Sequence, residues 1–122
     1  MFTRNLLTDL GGQDGVAAGV TAGERFDEIL RLGGVRIERI VSHGHASEPG
    51  FWYQQDWDEW VLIISGEAVL EYDTGSVVMK SGDHVLIEAG KRHRVQSTSL
   101  EQPTVWLAIH WDQKSGENRA GV

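Results

Sequence analysis

The chain has 122 residues, of which 40% are hydrophobic and 24% charged, as expected for one globular domain rather than a disordered segment. The formal net charge of −7 argues against nucleic-acid binding, and no segment has the pattern of a secretory signal or a membrane span. The absence of cysteine excludes disulfides and thiolate metal sites, so a metal ion would need histidine, carboxylate, amide or water ligands. We therefore expect a cytoplasmic protein that binds neither nucleic acid nor membranes.

Glycine-marked turns divide most of the chain into short segments. Residues 1–24 are mixed and glycine-rich, which predicts an N-terminal arm with little regular structure. Residues 25–112 predict one domain of eight strands: RFDEIL, VRIERIV, WVLIIS, EAVLEY, SVVMK, HVLIE, HRVQS and TVWLAIHW. Residues 113–122 form a polar C-terminal tail. Short strands at intervals of roughly ten residues predict an all-β, single-domain antiparallel sandwich or barrel.

The segment WVLIIS, residues 60–65, is apolar at successive positions. A strand that is apolar on both faces must be covered on both faces, so we expect this one in the centre of a sheet. One of these two faces could be covered by a partner subunit.

Alternation in the segment VRIERIV predicts which of its residues face the core. Its apolar face consists of odd-numbered positions, Val35, Ile37 and Val41. In a regular strand this face would be buried, with Arg36 and Glu38 directed outward.

The same parity extends into the following SHGH sequence if the strand stays extended. His43 and His45 would then lie on the buried face together with Arg39. Two histidines in a His-x-His pattern project from one side of a strand, as two ligands of one metal ion do. A buried Arg39 would need a carboxylate partner or an anionic ligand.

Two blocks of the sequence have a specific spacing. In EWVLIISG, six residues separate Glu59 from Gly66. In GDHVLIEAGKRH, ten residues separate Gly82 from His93, with Glu88-Ala-Gly between them. These blocks resemble the two motifs of the cupin superfamily: His-x-His, three or four residues, Glu, six residues, Gly, and then Gly, five residues, Pro-x-Gly, two residues, His. The resemblance covers about residues 35–111, with Glu88 where the family usually has proline.

The resemblance implies a small single-domain cupin, that is, an antiparallel jelly-roll barrel with a pocket inside it. In that family the pocket often holds a metal ion through three histidines and one glutamate. Barrels of this type commonly dimerise, and the doubly apolar WVLII strand suits a homodimer interface.

The histidines of the first cupin motif are displaced in this chain. At family spacing before Glu59, the two positions hold other residues: Tyr53 and Gln55, or Trp52 and Gln54. The His-x-His pattern of the chain, His43-Gly-His45, lies about ten residues upstream of those positions.

Two arrangements of the site follow from the resemblance. In the first, a longer loop lets four side chains bind one divalent transition metal, Zn, Fe, Mn, Ni or Cu: His43, His45, Glu59 and His93. In the second, family spacing is kept, and Gln55, Glu59 and His93 form the inner pocket with the other two histidines at its mouth. An amide oxygen is a weaker ligand than imidazole, so the second arrangement binds metal weakly or not at all.

Neighbouring residues could complete a pocket for a small polar molecule. Trp52 and Tyr53 either form an aromatic wall of the pocket or belong to the core. If the protein is an enzyme, we expect Tyr53 or Gln55 to orient the substrate and Arg39 to pair with a substrate carboxylate.

Other polar residues have a structural interpretation. We expect Asp56 and Asp58 to be solvated loop carboxylates and Trp60 to begin the core strand. A histidine on an apolar strand is usually a hydrogen-bonded core residue, which is our interpretation of His84 and His110.

Two classes of function are open at this point. One is a metal-dependent cupin enzyme, such as an oxygenase, isomerase or lyase, whose metal polarises an oxygen of a small polar substrate. The other is a non-catalytic module that binds or senses a small molecule without a metal. The fold allows both, so the site must distinguish them.

Overall fold

The computed structural model describes residues 3–11, 20–21 and 23–111, which form strands and loops and no helix. All eight predicted strands form, with ends within two residues of those expected, and a short strand β1 precedes them. The strands are β1 (Val20–Thr21), β2 (Glu24–Leu32), β3 (Val35–Ser42), β4 (Asp58–Ser65), β5 (Glu67–Tyr72), β6 (Gly75–Lys80), β7 (His84–Ile87), β8 (His93–Thr98) and β9 (Thr104–Trp111). No helix in these residues is therefore available to span a membrane.

The strands form two antiparallel sheets. The larger has the order β1-β2-β3-β9-β4-β7 and the smaller the order β6-β5-β8. Strand β4 pairs with β9 on one side and β7 on the other, which confirms its predicted central position. The core is built from apolar side chains of both sheets: Ile40, Val61, Ile63, Ala68, Leu70, Met79, Ile87, Val95, Trp106 and Ala108. The predicted all-β antiparallel barrel is thus confirmed.

The predicted inward face of β3 is wrong. The side chains directed to the space between the sheets are those of even-numbered positions, Arg36, Glu38 and Ile40. Because this space contains a partly polar cavity, the strand face that lines it carries charged residues. The odd-numbered face is covered from outside the barrel, where residues 6–9 contact Arg39.

Arg39 anchors the chain segment that precedes the strands. Arg39 is 6% exposed, and its guanidinium uses all five N–H groups. Two of these groups donate to Asp27 Oδ2, at 3.0 and 2.6 Å. The other three donate to the backbone carbonyls of Leu6, Thr8 and Asp9, at 3.1, 2.6 and 3.0 Å. The charge is therefore satisfied within the protein, without an external anion.

The predicted N-terminal arm is only partly described. Residues 3–11 contain no strand or helix, and β1 pairs with β2. The predicted tail, residues 113–122, lies outside the described residues. The boundaries of the arm, barrel and tail therefore stay predictions.

Two polar residues differ from their predicted surroundings. Asp58, expected to be solvated, is 1% exposed, and its Oδ1 accepts a hydrogen bond from the backbone N–H of Ala89 at 2.9 Å. This bond holds the loop before β8, which explains why a carboxylate is buried there. His84, expected in the core, is exposed and accepts a hydrogen bond from the indole N–H of Trp60 at 3.2 Å.

Candidate functional site

A cavity of about 210 Å³ lies between the two sheets. Much of its wall is apolar or aromatic, formed by Phe26, Ile40, Trp57, Val61, Leu70, Ile87, Val95 and Trp106. The polar part of the wall consists of Glu24, Arg36, Glu38, Tyr53, Gln55, Glu59, His93 and His110. An apolar cavity with several convergent polar groups is the usual form of a small-molecule site.

Strand pairing brings the polar residues of the larger sheet together. The Cα of His110 on β9 is paired with that of Glu59 on β4 and with that of Arg36 on β3. Since directly paired residues project from the same face of a sheet, these three side chains lie side by side along one wall.

The segment before β4 forms the neighbouring wall. Tyr53 and His93 exchange two backbone hydrogen bonds, of 2.7 and 3.0 Å, so this segment extends the smaller sheet beside β8. Their rings stack with centroids 5.4 Å apart. Gln55, two residues further along, also lines the cavity.

Glu59 is a buried carboxylate, 8% exposed. Its Oε1 accepts a hydrogen bond from the amide of Gln55 at 2.8 Å, and its Oε2 lies 3.7 Å from Nε2 of His110. Within the described ranges, no lysine or arginine pairs with it. A buried carboxylate is costly unless donors or a cation compensate it, so Glu59 is well suited to receive a donor from a ligand.

The hydrogen bonds of His110 define its tautomer. The indole N–H of Trp57 donates to Nδ1 at 2.9 Å, so Nδ1 carries no proton. Nε2 lies 3.0 Å from Oε1 of Glu38, an acceptor, and therefore carries the proton. His110 is thus neutral and hydrogen-bonded, as expected, and it also orients a carboxylate at the cavity wall.

His93 has the opposite tautomer. Its Nδ1 lies 3.0 Å from the backbone carbonyl of Lys91, which can only accept, so Nδ1 carries the proton. In the neutral ring Nε2 is then an acceptor, and it makes no hydrogen bond with any of the described residues. Since His93 is 5% exposed and lines the cavity, this nitrogen is available to a ligand there.

Glu24 adds a third carboxylate to the wall. It is 7% exposed, and its Oε1 lies 3.3 Å from Nε2 of His45. Burial raises the pKa of Glu24; His45 lowers it, and the charges of Glu38 and Glu59 raise it further. Burial also raises the pKa of the Tyr53 phenol to about 12, with added contributions from Glu24 and Glu59. The phenol therefore keeps its proton at neutral pH.

Four of the eight candidate residues from the sequence line the cavity: Tyr53, Gln55, Glu59 and His93. The other four are elsewhere. Arg39 is on the outer face of β3, and the ring of Trp52 lies against Arg92, whose guanidinium carbon is 4.6 Å from the ring centroid.

His43 and His45 are not part of the cavity wall. Nε2 of His43 is 3.3 Å from the carbonyl of Leu10, and His45 lies against Glu24. The physical reason is that β3 ends at Ser42 and Gly44 has a φ of 71°, so the strand alternation does not continue through these histidines.

Sequence reasoning missed several polar residues of the cavity wall: Glu24, Arg36, Glu38 and His110. One signal was available for β3, because Arg36 and Glu38 alternate with apolar residues on a strand that pairs on both sides. Charged residues at alternate positions of a central strand are typical of two environments. Their side chains line an internal cavity or face solvent.

The donor set does not fit the three-histidine, one-glutamate metal site of the cupin resemblance. Tyr53 and Gln55 occupy the wall positions near Glu59 and His93. Within residues 3–11, 20–21 and 23–111, no three His, Asp or Glu side chains are close enough to hold one metal ion. No chemical step is therefore assigned to a metal.

Comparison with known proteins agrees with this architecture. The family model for a cupin domain matches residues 38–110. A crystal structure of a Ralstonia eutropha JMP134 protein, provisionally named as a mannose-6-phosphate isomerase, is 44% identical, covering 92% of this chain and 99% of that one, with a TM-score of 0.78.

Two more distant structures share the fold alone. A cupin superfamily protein from Desulfitobacterium hafniense DCB-2 is 19% identical over 73% of this chain and 77% of that one, with a TM-score of 0.62. The cupin domain of an XRE-family transcriptional regulator from Enterobacter cloacae is 16% identical over 73% and 96%, with a TM-score of 0.61. The search of curated proteins found no match.

We expect Glu24→Gln to raise the melting temperature at neutral pH and to have no effect below pH 4.5, the ordinary pKa of the group. A raised pKa means that the folded protein binds this proton more tightly than the unfolded chain does. The cost of ionised Glu24 is therefore present above its folded-state pKa and absent below the ordinary value. Thermal melts across this pH range test the prediction. The exposed Glu48→Gln is the control, and a pH-independent difference for Glu24→Gln would contradict it.

Proposed function

We propose that this chain, which belongs to the cupin family, binds a small polar organic molecule in the cavity between its sheets. The observation that carries the proposal is that a largely apolar cavity wall also holds polar groups with unused hydrogen-bonding capacity, notably Glu59 and Nε2 of His93. Such groups fix the orientation of a ligand, while the aromatic and aliphatic wall excludes water from it.

The positions of the histidines favour a ligand held without a metal. A metal bound by His43, His45, Glu59 and His93 would require the first two to reach the cavity, which they do not line. The second arrangement, with Gln55, Glu59 and His93 as inner groups, agrees with the positions of these side chains. An amide in place of imidazole weakens metal binding, which supports direct contact between ligand and protein.

A metal-free proton-transfer enzyme, such as an isomerase, is the second candidate. Glu59 and Nε2 of His93 are potential bases facing the same cavity as the protonated phenol of Tyr53. A base and an acid at one site are the requirement for moving a proton between neighbouring carbon atoms. The name of the Ralstonia eutropha protein agrees with this class of reaction. Solvent deuterium incorporation into a sugar, followed by NMR and abolished in Glu59→Gln, would support it.

The binding function is tested by analysing whether a small molecule is bound to the purified protein. We expect denaturation to release a stoichiometric organic compound, identified by mass spectrometry, and metal analysis to find less than one metal ion per chain. Val61→Phe, which fills the cavity from its buried wall, should lose this compound. Val78→Phe is the matched control, because Val78 is 58% exposed and outside the cavity.

Two outcomes would contradict the proposal. A folded Val61→Phe protein that retains the compound would place binding outside the cavity. A stoichiometric metal that is lost in His43→Ala or His45→Ala would restore the metal-dependent arrangement.

A homodimer stays a prediction. Both edges of β4 are paired within the chain, so a partner could cover only a face of the WVLII segment.

A further inference from the structure

We infer that the ligand carries a protonated amine, which is held against Glu59. This inference rests on the proposed binding function and specifies the chemical class of the ligand.

Several hydrogen-bond donors at the cavity wall are already used within the protein. The indole N–H of Trp57 is used by His110, and that of Trp106 by the hydroxyl of Ser42 at 3.0 Å. The ring N–H of His110 is used by Glu38. These three donors are thus committed within the protein, whereas the Tyr53 phenol and Nε of Arg36, which makes no hydrogen bond with the described residues, stay available at the cavity wall.

The acceptors are not committed in the same way. Nε2 of His93 has no partner among the described residues, and the side chain is 95% buried. Glu59 receives one hydrogen bond from Gln55, although a carboxylate accepts about four. A ligand group that contacts Glu59 and Nε2 of His93 must therefore bring donors.

The charge of the wall favours a cation. Three glutamates and one arginine line the cavity, which leaves a formal excess of two negative charges. Arg36 is beside Glu38, with its Nε 3.9 Å from Oε2, and His45 is beside Glu24. Glu59 is the carboxylate without an ionic partner in the described part of the chain, since His110 next to it is the neutral tautomer.

The aromatic wall supports the same choice. Tyr53, Trp57 and Trp106 line the cavity, and a desolvated ammonium group is attracted to aromatic rings. A phosphate dianion would bind less favourably than an amine, because it brings acceptors and negative charge close to carboxylates.

An organic cation fits the spacing of these groups better than a metal ion does. The acidic and imidazole side chains of the described residues do not converge in threes on a single point. They are distributed around a cavity of about 210 Å³, where an extended molecule can reach several of them in turn.

The experiment compares matched probes that differ in charge. One set is mannosamine, mannose and mannose 6-phosphate, and the other is butylamine, butanol and butyrate, with affinity measured by calorimetry and thermal shift. We expect the amine of at least one set to bind about tenfold more tightly than its neutral and anionic counterparts, as a charge-assisted bond allows. Glu59→Gln should remove this preference while keeping the affinity for the neutral probe within about twofold.

The controls separate this inference from the binding function. Glu48→Gln, which removes an exposed carboxylate outside the cavity, should keep the preference for the amine. If the neutral or anionic probes bind more tightly than the amines and Val61→Phe abolishes that binding, the amine inference is wrong and the binding function stands. If no probe binds and the purified protein holds no organic compound, both are wrong.

Discussion

Arg39→Ala is expected to lower the free energy of unfolding by about 3 to 5 kcal/mol, the usual cost of removing one member of a buried charged network. The reason is that a buried guanidinium supplies five hydrogen bonds at once, and alanine supplies none. The carbonyls of Leu6 and Thr8 then lose these donors, while the carbonyl of Asp9 keeps a hydrogen bond of 3.5 Å from Arg25. Urea unfolding monitored by tryptophan fluorescence measures the loss.

The same variant should release the N-terminal segment. Trypsin should cleave after Arg4 faster than in the parent protein, because this guanidinium makes three of the hydrogen bonds that hold residues 3–11 to the barrel. Arg31→Ala is the matched control, since its ion pair with Glu28 is exposed and contributes about 0 to 1 kcal/mol. Equal losses in the two variants would mean that the Arg39 network does not form in solution.

Gly66→Ala is expected to cost about 3 kcal/mol, which combines an unfavourable backbone conformation with a steric conflict. Gly66 has a φ of 90°, and a Cβ placed on it would lie 2.7 Å from Cα of Thr104 and 2.8 Å from the carbonyl oxygen of Pro103. Both are backbone atoms, so the start of β9 would have to move. That strand carries His110, which connects this turn to the cavity wall.

Gly82→Ala separates the two causes. Gly82 has nearly the same φ, 92°, but a Cβ there would meet no atom within 4 Å. We therefore expect a loss of about 1 to 2 kcal/mol from the backbone conformation alone. Chemical unfolding of both variants measures the difference. If Gly66→Ala is no less stable than Gly82→Ala, the close approach of β9 is not present in solution.

These two glycines also show why the cupin spacing was informative. Six residues separate Glu59 from Gly66 because β4 runs from the cavity to its turn, and that length is set by the strand itself. Gly82 similarly ends the turn before β7, ahead of the loop that leads to His93. Spacing of this kind is a local property, so it places both residues correctly in the fold. The roles of Glu59 and His93 in ligand binding stay predictions.

The positions of the two upstream histidines were beyond sequence reasoning. Alternation assigned them to the buried face of an extended strand, but the strand ends at Ser42 and the chain turns at Gly44. His45 then lies beside Glu24, with its Nε2 3.3 Å from Oε1 of that carboxylate. A single positive φ is enough to change the direction of every side chain after it.

By itself, the sequence determined the strands, their turns and the class of fold. Strand periodicity and glycine-marked turns depend on residues close together in the chain, and the eight predicted strands form within two residues of their expected ends. The tertiary structure alone decided which face of β3 lines the cavity. That choice depends on what covers each face: the smaller sheet on one side, and residues 6–9, bound to Arg39, on the other. Only strand pairing decided that Glu59, His110 and Arg36 would lie side by side, because register joins residues that are far apart in the sequence.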